Sequence, residues 1–519
     1  MKNYLTTILL LCSLAAFPQA EGLKEVFDDA EYFFYSEAYN DALINYLKIY
    51  RRGYQTNANI NFKIGYCYLH TADKQKAIPY LEEAVKNTSI KFKEGSLKED
   101  KAPIEAFLYL GNAYRITNNL EKAIEAYENY LKQVPPGKVS DEVNYTRKQL
   151  EACKTATELM KKPVAVSMEI LPNTINTSAA NFNPVVTPGE TVLAYASRLR
   201  FYDAVFVCRK VKDTWSAPEN ITPQIQSDGN QYPCCFSSDG NTLYLTREDN
   251  YDSDIYFSKF DGKSWSKSLP LGKNINSKFW ESHASITADG KTLYFASNRK
   301  GGKGGMDIYV STLGPNNEWG PAVALGSPVN TELDDDYPFI SEDGKVLFFC
   351  SQGHNTMGGF DVFYSVKNGD SWSEPKNIGY PINSTDDDIF FCPAKNGLVA
   401  YQAIYPKSGG MGDLDIVRYE IPNTVYTYQI KGNLEGLPWQ NGENIYAINI
   451  HTGEKTKASL DGHFFSFTAA AGEYMLVIEN STCKKQSKPF VIPQMHAGTS
   501  FFIVPELMEF ESDNAMALK

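Results

Sequence analysis

Three acidic positions recur just ahead of an apolar strand: Glu281, Asp336 and Asp388, the last two inside the runs Asp334–Asp336 and Asp386–Asp388. Carboxylates aligned on one rim of a ring offer oxygens to a hard cation, so Ca2+ is the one cofactor they suggest; the plainer alternative is that they cap turns and solvate the rim. A second series, Asp203, Asp254, Asp307, Asp361 and Asp415, opens strands such as DIYFS and DIYVS. Those side chains read as acceptors that fix turns. No GxSxG elbow, HExxH, P-loop or dinucleotide fingerprint occurs, and the six histidines stand at no ligand spacing. The loops GGKGGM and SGGMG do not lead from a strand into a helix, as a phosphate cradle requires. The expectation is a protein that is not an enzyme.

The elements that carry these residues repeat. Turn glycines Gly189, Gly240, Gly290, Gly344 and Gly397 stand about fifty residues apart, followed by the strands VLAYAS, TLYLTR, TLYFAS, VLFFCS and LVAYQA. Trp215, Trp265, Trp319 and Trp372 close the first four copies only. Short strands at this period predict an all-β propeller with one blade per repeat. An open ring would expose unpaired edges. The segment 164–171, followed by Asn173-Thr-Ile-Asn176, matches the repeat ends LGKNIN, LGSPVN and IGYPIN. It is expected to supply the outer strand of the last blade, giving five blades, with six as the alternative.

Residues 21–162 carry a different period, that of an all-α tetratricopeptide (TPR) array. The third copy holds Phe107, Leu110, Gly111, Tyr114, Ala123, Tyr127 and Pro135; the second holds Ile64, Gly65, Tyr68, Ala77, Leu81 and Ala84. A first copy runs from Val26 through Ala30, Phe33, Tyr39 and Ala42 to Tyr46. Thr88 to Lys101 is a polar loop insertion, and Ser140 and Asp141 open a capping helix reaching about Lys161. Helical spacing puts Phe27, Phe34, Phe62, Tyr66, Leu69, Leu108, Asn112 and Arg115 on the concave side. They would line a groove for a peptide or helix of a partner, or else pack against neighbouring helices.

The net charge of −12 sets nucleic acid aside, since phosphate binding needs basic patches. Lys2 followed by an apolar stretch from Tyr4 to Phe17 reads as a signal peptide over 1–20, with lipidation of Cys12 as an alternative. No other apolar run reaches spanning length, so no membrane span is expected. Cys67, Cys153, Cys208, Cys234, Cys235, Cys350, Cys392 and Cys483 match no zinc pattern and read as buried thiols, Cys350 with Cys392 being a conceivable pair.

Three resemblances rest on these motifs. Residues 163–424, with SSDGNTLYL, TADGKTLYFASNRKGGKGGMDIYV and WSEPKNIG, resemble the TolB-like, WD-repeat-like propellers of bacterial envelopes. The copies TPGETVLAY and AKNGLVAYQ depart from the Asp-Gly pattern. Residues 425–505 resemble the carboxypeptidase regulatory-like domain, a small transthyretin- or Ig-like all-β sandwich, through Thr452-Gly453-Glu454, Asp461-Gly462-His463-Phe464 and Gly472-Glu473-Tyr474; residues 506–519 form a tail. The order of the three modules resembles the PorE-type envelope proteins of Bacteroidetes, associated with type IX secretion and gliding. That family normally adds an OmpA-like peptidoglycan-binding domain, which is expected to be absent here, so peptidoglycan binding is not expected.

The resemblance implies a periplasmic, non-catalytic scaffold, peripheral at the outer membrane. Its partners would be envelope proteins, among them an outer-membrane barrel or secretion and gliding components. A TolB-like propeller binding a peptide or glycan, in envelope integrity or transport, is the alternative.

Overall fold

The computed structural model describes residues 22–137, 139–249, 252–406, 410–421, 427–433, 444–450, 453–470, 472–479, 485–492, 500–503 and 511–512. The leader 1–20, Cys12 and Cys483 lie outside the described residues. The chain divides into two compact units, Met1–Cys153 and Lys154–Lys519.

The first unit is built from helical hairpins: α1 Leu23–Tyr35, α2 Tyr39–Arg51, α3 Ala58–Leu69, α4 Ala77–Ala84, α5 Ala106–Ile116 and α6 Leu120–Gln133, followed by α7 Asp141–Met160. The unit boundary falls inside α7, ahead of the 162/163 boundary expected from sequence. Asn57 caps α3 by accepting from the Ile60 amide at 2.8 Å. Close approach within each hairpin explains the glycines. A Cβ on Gly65 would lie 2.5 Å from Leu81 Cγ, and one on Gly111 2.4 Å from the Tyr127 ring. The 88–101 insertion is pinned at its base by two short parallel strands, Thr88–Ser89 and Ala102–Pro103.

The second unit begins with five antiparallel sheets in chain order. Their inner strands are Asn181–Val186, Gln231–Phe236, Glu281–Ile286, Asp335–Ile340 and Cys392–Ala394. Their third strands are Asp203–Val211, Ser253–Lys259, Asp307–Thr312, Asp361–Asn368 and Asp415–Glu420. The outer strand of the fifth sheet is Ser167–Ile170, paired antiparallel with Asp415–Glu420 across most of the repeat region. The first sheet therefore neighbours the fifth: the Asn181 amide donates to Leu414 O at 2.8 Å, and Trp215 packs edge-on against Tyr401.

Sheets two to five are each fastened by an asparagine at the repeat end, while in the first Thr222 Oγ1 accepts from the Val205 amide at 2.8 Å. Asn276 accepts from the Ile255 amide and donates back to Ile255 O, both at 2.9 Å. Asn330 does the same at Ile308, and Asn383 at Val362. Asn176 clamps Ile416 in this way, 2.8 Å and 2.9 Å, from 240 residues upstream. A side-chain amide here replaces one residue of a missing β-ladder, satisfying a donor and an acceptor that burial would leave costly.

The turns refine one expectation. Gly240, Gly290 and Gly344 hold φ of +70°, +69° and +68°, where a side chain is disfavoured. In the first copy that position belongs to Glu190, φ 55°, not to Gly189.

Two further sheets follow. One orders Ser459–Asp461, Phe464–Ala470, Thr427–Asn433 and Ser500–Ile503; the other orders Lys455–Lys457, Asn444–Asn449, Gly472–Glu479, Lys485–Ile492 and Glu511–Ser512. Phe465, Phe467, Leu476 and Phe490 bury their faces in a core continuous with Phe348, Phe391 and Tyr419 of the fourth and fifth sheets. The seven described cysteines are buried, and Cys350 and Cys392 form no disulfide with each other. No described helix is long and apolar enough to cross a membrane.

Candidate functional site

The acidic series resolves into two different jobs. Glu281, fully buried, accepts from the Ser277 amide and hydroxyl at 2.7 Å each, from Ser297 Oγ and from Arg299. Asp388 accepts from the Ser384 amide in the same i−4 fashion, and so does Asp335 from Thr331, at 2.6 Å. The residue equivalent to Glu281 and Asp388 is thus Asp335, not Asp336. A slip of one residue on a strand turns the side chain to the other face.

The three predicted rim residues accordingly do not converge on a cation. Glu281 is ion-paired with Arg299, and burial together with the charge of Asp361 holds the Asp388 carboxyl well above the usual carboxylate range. Among the described residues no group of three His, Cys, Asp or Glu side chains is placed to hold a metal.

Of the five strand-opening aspartates, three hold the loop just ahead of them, Asp203 accepts from Arg198 and Tyr232, and Asp254 leaves its buried Oδ1 without a partner. Asp307 takes the amides of Lys303 and Gly304, Asp361 those of Met357 and Gly358, and Asp415 those of Met411 and Gly412. The glycine-rich loops are packing devices. A Cβ on Gly304, Gly358 or Gly412 would lie 2.1 to 2.3 Å from the carbonyl of Leu333, Asp386 or Ala179 in the entry loop of the next sheet.

Asp336 belongs to a different group. The residues two past the strand entry, Asn183, Pro233, His283, Tyr337 and Phe390, one from each inner strand or its approach, line a small axial cavity. The inner strands of the first four sheets shift register near this point, and Asn183, Tyr337 and Phe390 take positive φ. Such bulges re-aim side chains. His283 stacks on Tyr337 with ring centroids 3.8 Å apart. Its Nε2 accepts from Asn183 Nδ2 at 3.4 Å, and its Nδ1 lies 3.6 Å from Asp336 Oδ1. Asp336 also accepts from Ser282 Oγ and from the Tyr337 amide, both at 2.6 Å. Phe390 meets Tyr337 edge-on, and Phe182 reaches both Phe390 and Tyr232. Sequence reasoning missed this ring; the Pro at 184, 233 and 338, unfavourable inside a paired strand, was its available signal.

In the helical unit the predicted concave set divides. Phe27, Phe62, Leu69 and Leu108 are core residues, and Arg115 is buried with its Nε donating to Tyr127 Oη at 3.4 Å. They cannot line an open groove, because helix stacking covers the side on which helical period put them. Phe34, Tyr66 and Asn112 stay half-buried. Tyr66 is the centre of an aromatic ladder: Phe34 at 5.1 Å, Tyr39 at 5.8 Å, His70 at 4.6 Å and Tyr109 at 4.7 Å. Tyr39 stacks on exposed His70 at 4.4 Å. Beneath it Lys63 is buried, its Nζ 3.8 Å over the Phe34 ring and 3.4 Å from Glu31, and burial lowers its pKa. Asn112 accepts from Tyr127 at 2.8 Å and from exposed Tyr145 at 3.4 Å.

Two segments, 58–89 and 105–136, match tetratricopeptide repeat families. They span α3–α4 and α5–α6, so these hairpins are tetratricopeptide repeats. No curated protein matches the chain. Among solved structures, TolB from Acinetobacter baumannii is 16% identical, covering 56% of this chain and 71% of its own, with a TM-score of 0.33. The first TPR domain of human RPAP3 is 18% identical over 26% of this chain and 94% of its own, TM-score 0.21. The arabinofuranosidase PaAbf62A from Podospora anserina is 11% identical over 49% and 94%, TM-score 0.31. None of the three reaches 0.5.

Proposed function

We propose that this chain is a non-catalytic scaffold that holds protein partners on the aromatic ladder of its helical repeats. The observation that carries the reading is the half-exposed run Phe34, Tyr39, Tyr66, His70 and Tyr109, drawn from α1, α2, α3, the turn after it and α5. Rigid aromatic rings give large contact area at low entropic cost, which suits partner anchoring. The five sheets are read as five blades of a propeller closed by Ser167–Ile170, and the last two sheets as a regulatory-like sandwich.

The module order further supports an exported protein of the periplasm, peripheral at an outer membrane and related to type IX secretion or gliding. On this reading it uses no cofactor. The test is affinity capture from envelope extract with the full chain and its Tyr39→Ala/Tyr66→Ala variant. A partner held by the parent and lost by a variant of unchanged circular dichroism supports the reading; equal capture overturns it. A second reading, a propeller that binds a peptide or glycan, is favoured by the aromatic axial cavity.

A further inference from the structure

Residues 88–101 interrupt the tetratricopeptide period with a loop whose ends meet at the paired strands Thr88–Ser89 and Ala102–Pro103. Loops of this length are uncommon in compact domains and usually serve a purpose of their own. One edge of this loop lies on the helices. The Ala58 amide, the first of α3, donates to Asp100 O at 3.1 Å, and Asn57 Nδ2 donates to Glu99 O at 3.1 Å. Leu97 packs against the core cluster that holds Val26, Phe27 and Ile60. The chain then reaches Glu94, whose carboxylate acts on the Tyr35 hydroxyl and on the Lys63 ammonium.

Helical spacing puts Asn59, Lys63, Tyr66 and His70 on one stripe of α3 and the turn after it. Tyr66 and His70 form the open end, within the aromatic ladder; Asn59 and Lys63, at the other end, are each 1% exposed. Lys63 joins the two ends, its Nζ 3.8 Å from the Phe34 ring and 5.2 Å from the Tyr35 ring. Tyr35 meets Phe34 edge-on at 5.8 Å, so the tip of the loop stands one ring away from the ladder. The loop takes its shape largely from itself. Glu99 accepts from the Lys101 and Lys93 amides at 3.0 Å each, and these bonds hold its carboxyl below the usual range. The closed end of the stripe is imperfectly filled, because Asn59 Oδ1 is buried without a hydrogen bond.

We propose that residues 91–100 are a tethered strap that closes the lower end of the α1–α3 face and lifts when a partner extends from the aromatic ladder along α3, an autoinhibitory contact within the repeats. It rests on the reading of the ladder as the partner surface. Tethering gives the strap an effective concentration of about millimolar, so a few contacts keep it seated. The partner that displaces it is an extended segment with an apolar side chain for the place of Leu97 and a carboxylate for that of Glu94. A donor that reaches Asn59 Oδ1 gives such a segment a bond the strap does not make.

The test compares the full chain with one in which residues 90–101 are replaced by a short Gly-Ser linker, both titrated calorimetrically with a synthetic peptide of residues 90–101. The shortened chain binds the peptide, and the parent, its site occupied, binds at least tenfold more weakly. A peptide carrying Leu97→Ser also binds the shortened chain at least tenfold more weakly. In the full chain, Leu97→Ser accelerates amide exchange at Ala58 at least tenfold and leaves the interior amides of α3 at parent rates. A photo-crosslinking phenylalanine analogue at His70 captures at least threefold more protein from envelope extract in the shortened chain. Equal peptide binding by the two chains, or none by a shortened chain of unchanged circular dichroism, overturns the strap. A shortened chain that loses its helical circular dichroism makes the loop part of the core and overturns it too. Equal crosslinking in both chains overturns the strap's control and leaves the ladder reading; no crosslink in either overturns both.

Discussion

Arg418 donates from Nε to Glu190 Oε1 at 2.7 Å and from Nη2 to Glu190 Oε2 at 3.2 Å, joining residues 228 positions apart in the chain. Tyr401 adds a hydrogen bond at 2.8 Å, and Lys395 an ion pair. Glu190 thus occupies the left-handed turn position that glycine holds in three other repeats, and its carboxylate ties the first sheet to the fifth. Strain of this kind persists only where surrounding contacts over-determine it. Stranding a buried charge costs about 3–5 kcal/mol; losing Arg418 leaves Glu190 with Tyr401 and Lys395 and costs less than that. Arg418→Ala is therefore expected to lower the denaturant midpoint of the second unit, followed by tryptophan fluorescence.

The same pair sets an acid limit. Burial pushes the Glu190 carboxyl up, but hydrogen bonds from Arg418, Lys395 and Tyr401 outweigh it and hold the group at about 2. An unfolded glutamate titrates near ~4.3. The unfolded chain therefore binds the proton more tightly. Stability from this group is full above pH ~5 and is lost as pH falls toward about 2. In Arg418→Ala much of this acid-side slope disappears, a result that urea titrations at several pH values read directly.

Asn176 makes a second closure. Its buried amide holds both backbone groups of Ile416, so Asn176→Ala strands a donor and an acceptor, at about 1–3 kcal/mol each. Amide exchange at Ile416 should accelerate, while exchange at Ile308, clamped by Asn330, stays at the parent rate.

The helical period, the fifty-residue period and the strand that closes the fifth sheet were legible because each is marked by turn residues or by a repeated local sentence such as NIN or PIN. The rim was not. Three consecutive aspartates carry no register of their own, and the bulge two residues on removes the alternation that would have distinguished Asp335 from Asp336. The concave face was half legible: period locates a helix face, but it cannot say that Phe27 or Arg115 is covered by the next helix. The pairing of Glu190 with Arg418 has no local signature, since it joins the two ends of the ring.

Glycine substitutions separate packing from turn geometry. Gly358→Ala would place a methyl 2.1 Å from Asp386 O, and backbone cannot yield as a flexible side chain does. A loss of about 1–3 kcal/mol is expected. Gly272→Ala meets nothing within 4 Å and lies outside the positive-φ positions, so it should be neutral or slightly stabilising. Thermal melts of the two variants check the contrast.

The central claim is that the aromatic ladder of the helical repeats faces a protein partner. It is tested most directly by placing a photo-crosslinking phenylalanine analogue at His70 of the full chain, beside Tyr39 and Tyr66, and irradiating in envelope extract. The account predicts one discrete crosslinked protein that is lost when Tyr39→Ala/Tyr66→Ala is added to a chain of unchanged melting behaviour. No crosslink at His70, or one that persists in that variant, would contradict it.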